Sequence, residues 1–517
     1  MRLFRLTLMA STVLAGATSF ALASPADDTI VVGFGSDIST LDPGEIGSRS
    51  DANVASHIFT TLTRISESGE VTPNLAESWS VSADGKDITF KIPSGHVCED
   101  GEALTATDVA YSFTRAADPA MKFTGNTPGF VFPSIGYTGA DATDENTAVI
   151  HMANKNSLAP GFLNEVYIHC KDSYEKMSTD DATAHPVASG SYKLKSWTAG
   201  SEIVLEKWQD PGNFKNIVFR IIPEASTRSA ELMAGNVDII TNAAPDQLDA
   251  IDASGTAKVQ KVQGTRRMYV GFNQKAKFDN TPGGMAIKKA DVRRALQYAV
   301  DVPTICQQLL NFTCERATGL ANPPHDNKDL KPYPYDPAMA EKLLDAAGYP
   351  RDANGVRFEM TLQGPRGRYL NDANVTTAVG QYLSDIGVKT TVELFEWSSV
   401  YVPMIRAHDA GPMFFLGSGG GLWNAQYDMS DLATVDSGPN YTEWSDPRWF
   451  DRWADITKAT SVAEEDKIVN EMLKVFYDDG PWLLMYFQPD FYGVSNRVKW
   501  TARRDEVIEL AGATLVK

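Results

Sequence analysis

The chain alternates short apolar runs with amphipathic stretches. Thr29–Gly35, Thr-Ile-Val-Val-Gly-Phe-Gly, predicts a strand. After it Val54, Ile58, Leu62 and Ile65 recur at helical spacing, and Asp51 reads as the N-cap of a helix reaching about Arg64. Ser78–Val81 and Asp87–Ile92 alternate in period two around Ala83-Asp84-Gly85-Lys86, an Asp-Gly hairpin turn. Thr105 or Thr107 caps a helix carrying Val109, Tyr111, Phe113 and Ala116. Strands are expected at Thr147–Met152, Tyr192–Trp197, Ile203–Trp208 and Ile217–Ile222, and helices at Ala225–Ala234 and Asp246–Ala253.

The second half keeps this style without repeating the sequence. Met268–Asn273 predicts a strand, and Lys289–Val300 and Asp336–Ala347 predict amphipathic helices, the latter stopped by Gly348. Val356–Leu362, Asp372–Ile386 and Val388–Phe395 form a strand–helix–strand unit with Gly387 ending the helix, which implies parallel strands and a right-handed crossover. Glu464–Tyr477 reads as a helix and Pro481–Phe487 as a buried strand. There are no tandem repeats and no low-complexity blocks. Two intertwined α/β lobes with short crossovers therefore fit better than domains strung on linkers.

Composition narrows the function. The 517 residues are 43% hydrophobic and 22% charged, enough for a large core. A net charge of −19 argues against a general nucleic-acid or anionic-membrane binder. Arg2 and Arg5, the apolar run Leu6–Phe20 and Ala21-Leu22-Ala23 before Ser24 read as an export signal over residues 1–23. An uncleaved anchor is the alternative. Export to the periplasm permits disulfides. Cys306 and Cys314 are close enough to close a small loop, and Cys98 and Cys170 are the other pair by elimination; free buried thiols are the alternative for both.

Catalytic signatures are sparse. The seven histidines form no HExxH or i,i+4 pair, and no Walker motif is present. Gly417-Ser418-Gly419 lacks the first glycine of a nucleophile elbow, because Leu416 stands there. A glycosidase built on two carboxylates distant in sequence stays open.

Several segments resemble one family in order along the chain. They include Leu41-Asp42-Pro43, Asn53–Ile58, Val71–Trp79, Ala83–Gly95, Asp100-Gly101 with Leu104–Val109, Pro186–Leu194, Leu232–Asp238, Asp291–Leu296 and Tyr335–Leu344. Together they resemble extracellular solute-binding protein family 5, the oligopeptide-, dipeptide- and nickel-binding receptors of bacterial ABC importers. The resemblance implies a two-lobed periplasmic-binding-protein type II fold (cluster C) of α/β class with an extra subdomain in the first lobe. It places 24–53, 187–266 and 485–517 in the first lobe, the extra subdomain at 54–186 and the second lobe at 267–484. It implies a monomer that captures a small peptide or peptide-like solute, closes over it and docks on an inner-membrane permease, with no cofactor, metal, nucleic acid or chemistry on the ligand. A sugar-containing or opine-like solute is the second reading, and an exported glycoside hydrolase a remote third.

Family peptide binders, as the resemblance implies, grip the peptide amine with an Asp three residues after a Trp. Here those positions are Gly417 and Gly420, within a residue or two. Asp428 is the candidate replacement, or else the N-cap of the next short helix. In the same loop Gly419 and Gly420 permit close backbone approach to a ligand. Trp423 offers a stacking surface, or packs in the lobe, beside Asn424 and Tyr427. Arg366 and Arg368 follow a strand and are candidate carboxylate clamps, with a solvated loop as the alternative. Trp397 covers the ligand or packs the lobe, and Asn126 contributes a wall.

Overall fold

The computed structural model describes residues 25–516 apart from 315, 323–325, 420–424, 457 and 459–461. The export signal, and Gly420, Trp423 and Asn424, lie outside the described residues. A ten-stranded sheet runs through the molecule. Its order is Val388–Glu396, Phe358–Arg366, Met413–Ser418, Ala257–Phe272, Trp482–Ser495, Ile239–Ile240, Thr29–Phe34, Asn216–Ile221, Glu202–Lys207 and Tyr192–Thr198. The first strand of the sequence lies deep inside it. Ile30, Val32 and Phe34 enter one hydrophobic core and Val31 enters the other, so the run is apolar because both its faces are covered.

Two long strands join the halves. Ala257–Phe272 and Trp482–Ser495 pair antiparallel along most of their length. Along the latter, Trp482–Tyr486 and Phe491 bury in one core, whereas Tyr492 and Val494 bury in the other. Tyr269 stacks on Trp482 with ring centroids 3.6 Å apart, which pins the pair at its second-half end. The register breaks between Gln263 and Arg267 and again before Tyr269. Such a bulge re-aims side chains. Arg266 and Arg267, neighbours on one strand, both reach the same cavity.

The Val388–Glu396 and Phe358–Arg366 strands are parallel neighbours flanked by the helix Asp372–Asp385, as their spacing predicts. The Asp-Gly hairpin forms as Ser78–Val81 paired with Asp87–Lys91, inside a four-stranded sheet that also holds Tyr137–Asp144 and Thr147–Met152. One helix boundary is corrected. The helix expected from Asp51 to Arg64 is Arg49–Ile58. Ser48 is its N-cap, and Asp51 sits at the third helical position and closes a capping box. The chain turns extended at Phe59 and enters the short strand Thr63–Ile65, so Leu62 and Ile65 share the helical spacing by coincidence.

Both cysteine pairs are disulfides. Cys306–Cys314 spans 8 positions and Cys98–Cys170 spans 72. On a chain-entropy argument the long loop contributes about 4 kcal/mol and the short one about 2–3 kcal/mol. Cys98→Ser/Cys170→Ser should therefore lower the urea midpoint more than Cys306→Ser/Cys314→Ser. The reverse order would mean that strain or packing at the 306–314 loop, not chain entropy, sets the ranking.

His169 packs in the core of the four-stranded insert. Its Nδ1 faces the Tyr167 carbonyl at 2.9 Å and so carries the proton, while Nε2 accepts from Arg115 at 3.2 Å. Arg115 is held bidentately by Asp42 at 2.7 Å per bond. Burial first, then the Arg115 charge, push the imidazole down to about 3. The unfolded ring takes up a proton near pH 6.5 that the folded ring refuses, so this residue withdraws stability as pH falls below that value. The expected loss is on the order of 2 kcal/mol at pH 5. His169→Gln should flatten the urea-unfolding free energy between pH 7 and 5; an unchanged slope would show that other groups set it.

Candidate functional site

A cavity of about 180 Å³ lies where the two halves meet. The segment Ile46–Arg49 and residues Asn126, Phe130, Glu165 and Tyr167 line it from one side. Trp397, Arg406, Gly417–Gly419, Tyr427, Asp428, Asp431 and Tyr441 line it from the other. Arg266, Arg267 and Arg368 complete it. Contacts tie the two rims. Arg406 pairs with Glu45 at 3.1 Å, the Gly438 amide donates to the Gly129 carbonyl at 3.1 Å, and the Asn242 amide donates to the Arg368 carbonyl at 3.0 Å. A Cβ added to Gly35 would lie 2.4 Å from the Gly367 carbonyl oxygen, so backbone meets backbone there.

The floor is a buried polar network. Arg267 stands opposite Ser418 in the strand register and donates to its hydroxyl at 2.8 Å. Its guanidinium pairs with Asp428 at 3.1 Å. The other acceptor sites of Asp428 take the Asn322 backbone amide at 2.7 Å and side-chain amide at 2.9 Å. Burial raises the Asp428 carboxyl above its ordinary range although Arg267 opposes this. The N-cap expectation for Asp428 needs correction, because it lies within the helix Ala425–Met429. It does line the cavity, with its carboxylate paired to Arg267.

A second network stands at the edge of the cavity. Glu506 accepts from Arg266 Nε at 2.9 Å and from Arg368 at 3.0 Å. Burial works against its charge, but the two guanidiniums win and hold the carboxyl well below the usual range. Nearby Asp490 is pushed well up by burial and by the Glu506 charge. Arg368 also lies over the rings of Tyr369 at 4.8 Å and Trp397 at 5.7 Å. Arg368 is therefore at the site, but its charge is engaged; Arg366 is exposed on the strand end and does not line the cavity.

The remaining expected residues fall as follows. Trp397 both lines the cavity and packs, T-shaped against Tyr369 with ring centroids 5.7 Å apart. Asn126 lines the wall and donates to Glu165 at 2.8 Å. Tyr427 donates to the other Glu165 oxygen at 2.7 Å and packs its ring on Phe162 at 4.9 Å. Gly419 lines the cavity, but the close approach that it and Gly417 permit is to Arg266, 3.1 Å and 2.7 Å from added Cβ atoms. Six charged lining residues escaped the sequence reading: Arg49, Glu165, Arg266, Arg267, Arg406 and Asp431. Glu165 and Asp431 carry no motif. Arg49 had a readable signal: a cation at the first position of a capped helix opposes the helix dipole, and such a placement calls for a reason other than stability.

The comparisons with known proteins agree with this architecture. The sequence profile of Bacterial extracellular solute-binding proteins, family 5 Middle, matches residues 70–440. The chain belongs to family 5 of these solute-binding proteins. It is 26% identical to Heme-binding protein A of Haemophilus influenzae, over 84% of this chain and 82% of that one. It is also 26% identical to the Glutathione-binding protein GsiB of Escherichia coli, over 88% of each. Among solved structures, the oligopeptide-binding protein AppA of Bacillus subtilis, in complex with a nonapeptide, superposes with a TM-score of 0.85. That match is at 20% identity and covers 95% of this chain and 99% of AppA. The family-5 fold is the two-lobed type II arrangement, and the joining strands and the interlobe cavity described above follow it.

Glu506 offers a direct test of the site's framework. Removing its charge leaves Arg266 and Arg368 buried without a counter-ion, which costs about 3–5 kcal/mol. Glu506→Gln should lower the unfolding free energy by that order. A loss under about 1 kcal/mol, the value of an exposed pair, would show that the cluster is solvated in solution.

Proposed function

We propose that this family-5 protein is the exported, solute-capturing receptor of an ABC importer. The reading is that a peptide or peptide-like solute binds between the lobes, and that the closed form docks on an inner-membrane permease and releases it unchanged. The observation that carries it is the interlobe cavity, lined from both halves and bridged at its rims by Arg406–Glu45 and Gly438–Gly129. Ligand that touches both rims favours closure because only the closed form offers both sets of contacts. The proposed limits are 24–53, 187–266 and 485–517 for the first lobe, 54–186 for its insert and 267–484 for the second.

The relatives' names speak of heme, glutathione and peptides. A cavity of about 180 Å³ is small beside the roughly 300–1,000 Å³ of ordinary ligand pockets. This favours a solute nearer an amino acid or dipeptide in size than an extended chain. The contact set proposed from this chain is Arg49, Asn126, Trp397, Gly419, Tyr427 and Asp431. The cleft does hold two carboxylates, Glu165 and Asp431, that form no ion pair among the described residues. Family membership favours their use in binding over hydrolysis.

The test uses protein recovered from the periplasmic fraction. Its mass should correspond to a chain starting at Ser24. A thermal-shift screen of small solutes should give a hit that binds one-to-one, shrinks the radius of gyration in X-ray scattering and is recovered intact. Conversion of the hit to products, or saturable binding with no change in radius, would overturn the receptor reading. Retention of residues 1–23 would overturn export by a cleaved signal.

A further inference from the structure

The cavity wall carries five arginines: Arg49, Arg266, Arg267, Arg368 and Arg406. Four are committed. Arg266 and Arg368 share Glu506, Arg267 holds Asp428, and Arg406 holds Glu45. Arg49 makes no hydrogen bond or ion pair among the described residues, and its Nε is buried without a partner. It stands at the first turn of Arg49–Ile58, where the helix dipole adds to its positive potential. An unpaired guanidinium held there lowers stability unless something anionic arrives.

The opposite imbalance occurs across the same cavity. Among the described residues the Glu165 carboxylate is held only by neutral donors, the Tyr427 hydroxyl and the Asn126 amide. Among the described residues the Asp431 carboxylate accepts only the Ser418 hydroxyl. Burial keeps the Asp431 carboxyl above its ordinary range although the Arg267 charge and the Ser418 hydroxyl oppose this, and the Asp428 and Glu165 charges add to it. A cationic group placed beside the two acids relieves both penalties. With every other wall charge matched, a solute of either single sign would satisfy one end of the cavity and worsen the other.

We infer that the solute is a zwitterion, its anionic group held by Arg49 and its cationic group by Asp431 with Glu165. This rests on the cavity being the solute site, and it supplies the amine anchor from a different element than the glycine-rich loop position 420. Arg49 is a specificity-determining residue whose planar fork suits a carboxylate. The Asp431 oxygen not used by Ser418 is the acceptor for the protonated amine.

The experiment is calorimetric titration of the wild-type protein with solutes sorted by charge: amino acids, dipeptides and amino-acid–sugar conjugates as zwitterions, then carboxylates, polyamines and neutral glycosides. The tightest binder is then titrated into Arg49→Gln and Asp431→Asn. The expected binder is a zwitterion. Each variant should weaken it by at least about tenfold, as loss of a charge-assisted bond does. Converting the solute's carboxylate to an amide should abolish the effect of Arg49→Gln, and acetylating its amine should abolish that of Asp431→Asn. Arg49→Gln without ligand should melt no lower than wild type, since it removes an unpaired charge. A tightest binder that is neutral or singly charged, no zwitterion binding at all, or full affinity in Arg49→Gln overturns the inference. If another charge class binds with a reduced radius of gyration, the receptor reading survives; if no class binds or closes the lobes, both fail.

Discussion

Glu506 is the carboxylate on which the charge arrangement at the joint depends. It comes from the C-terminal segment, whose core partners lie in the first half, yet it holds Arg266 on a crossing strand and Arg368 beyond the strand end of the second half. Two guanidiniums around one buried carboxylate leave a net positive charge in a low dielectric. Asp490 stands next to them, and burial together with the Glu506 charge raises its carboxyl well above its ordinary range. The arrangement is stable only while all three groups stay together, which makes it sensitive to the relative position of the halves.

The same electrostatic economy runs through the cleft. Asp428 spends its charge on Arg267, which ties the helix Ala425–Met429 to the strand Ala257–Phe272. The bulge before Arg267 sends two consecutive arginines into one space, one to the floor and one to the edge. Positive charge is thereby concentrated at the joint without being left loose. Among the described residues, the charge that remains without an ion-pair partner in the cavity wall is small and localised.

Much of this was legible in the sequence. The Asp-Gly hairpin, the strand–helix–strand unit ended by Gly387 and the buried apolar strand Trp482–Tyr486 are local patterns with local causes, and they stand where periodicity places them. The order of weak motifs carried the family, as the match over 70–440 bears out. The site was less legible. Arg368 and Asp428 were chosen for their charge, but sequence does not show that Glu506 and Arg267, 138 and 161 positions away, already hold them. With Asp51 as the cap Arg49 falls outside the helix; the capping box on Ser48 puts it at the helix start.

The contact between Gly35 and Gly367 has a consequence for the range of solutes. Where two backbones touch with no side chain between them, nothing compressible remains, and the lobes meet a hard stop. Closure then behaves as a gauge with one setting. A solute that fits within the gap lets the stop engage and completes the surface that a permease reads. A larger one keeps the two backbones from meeting.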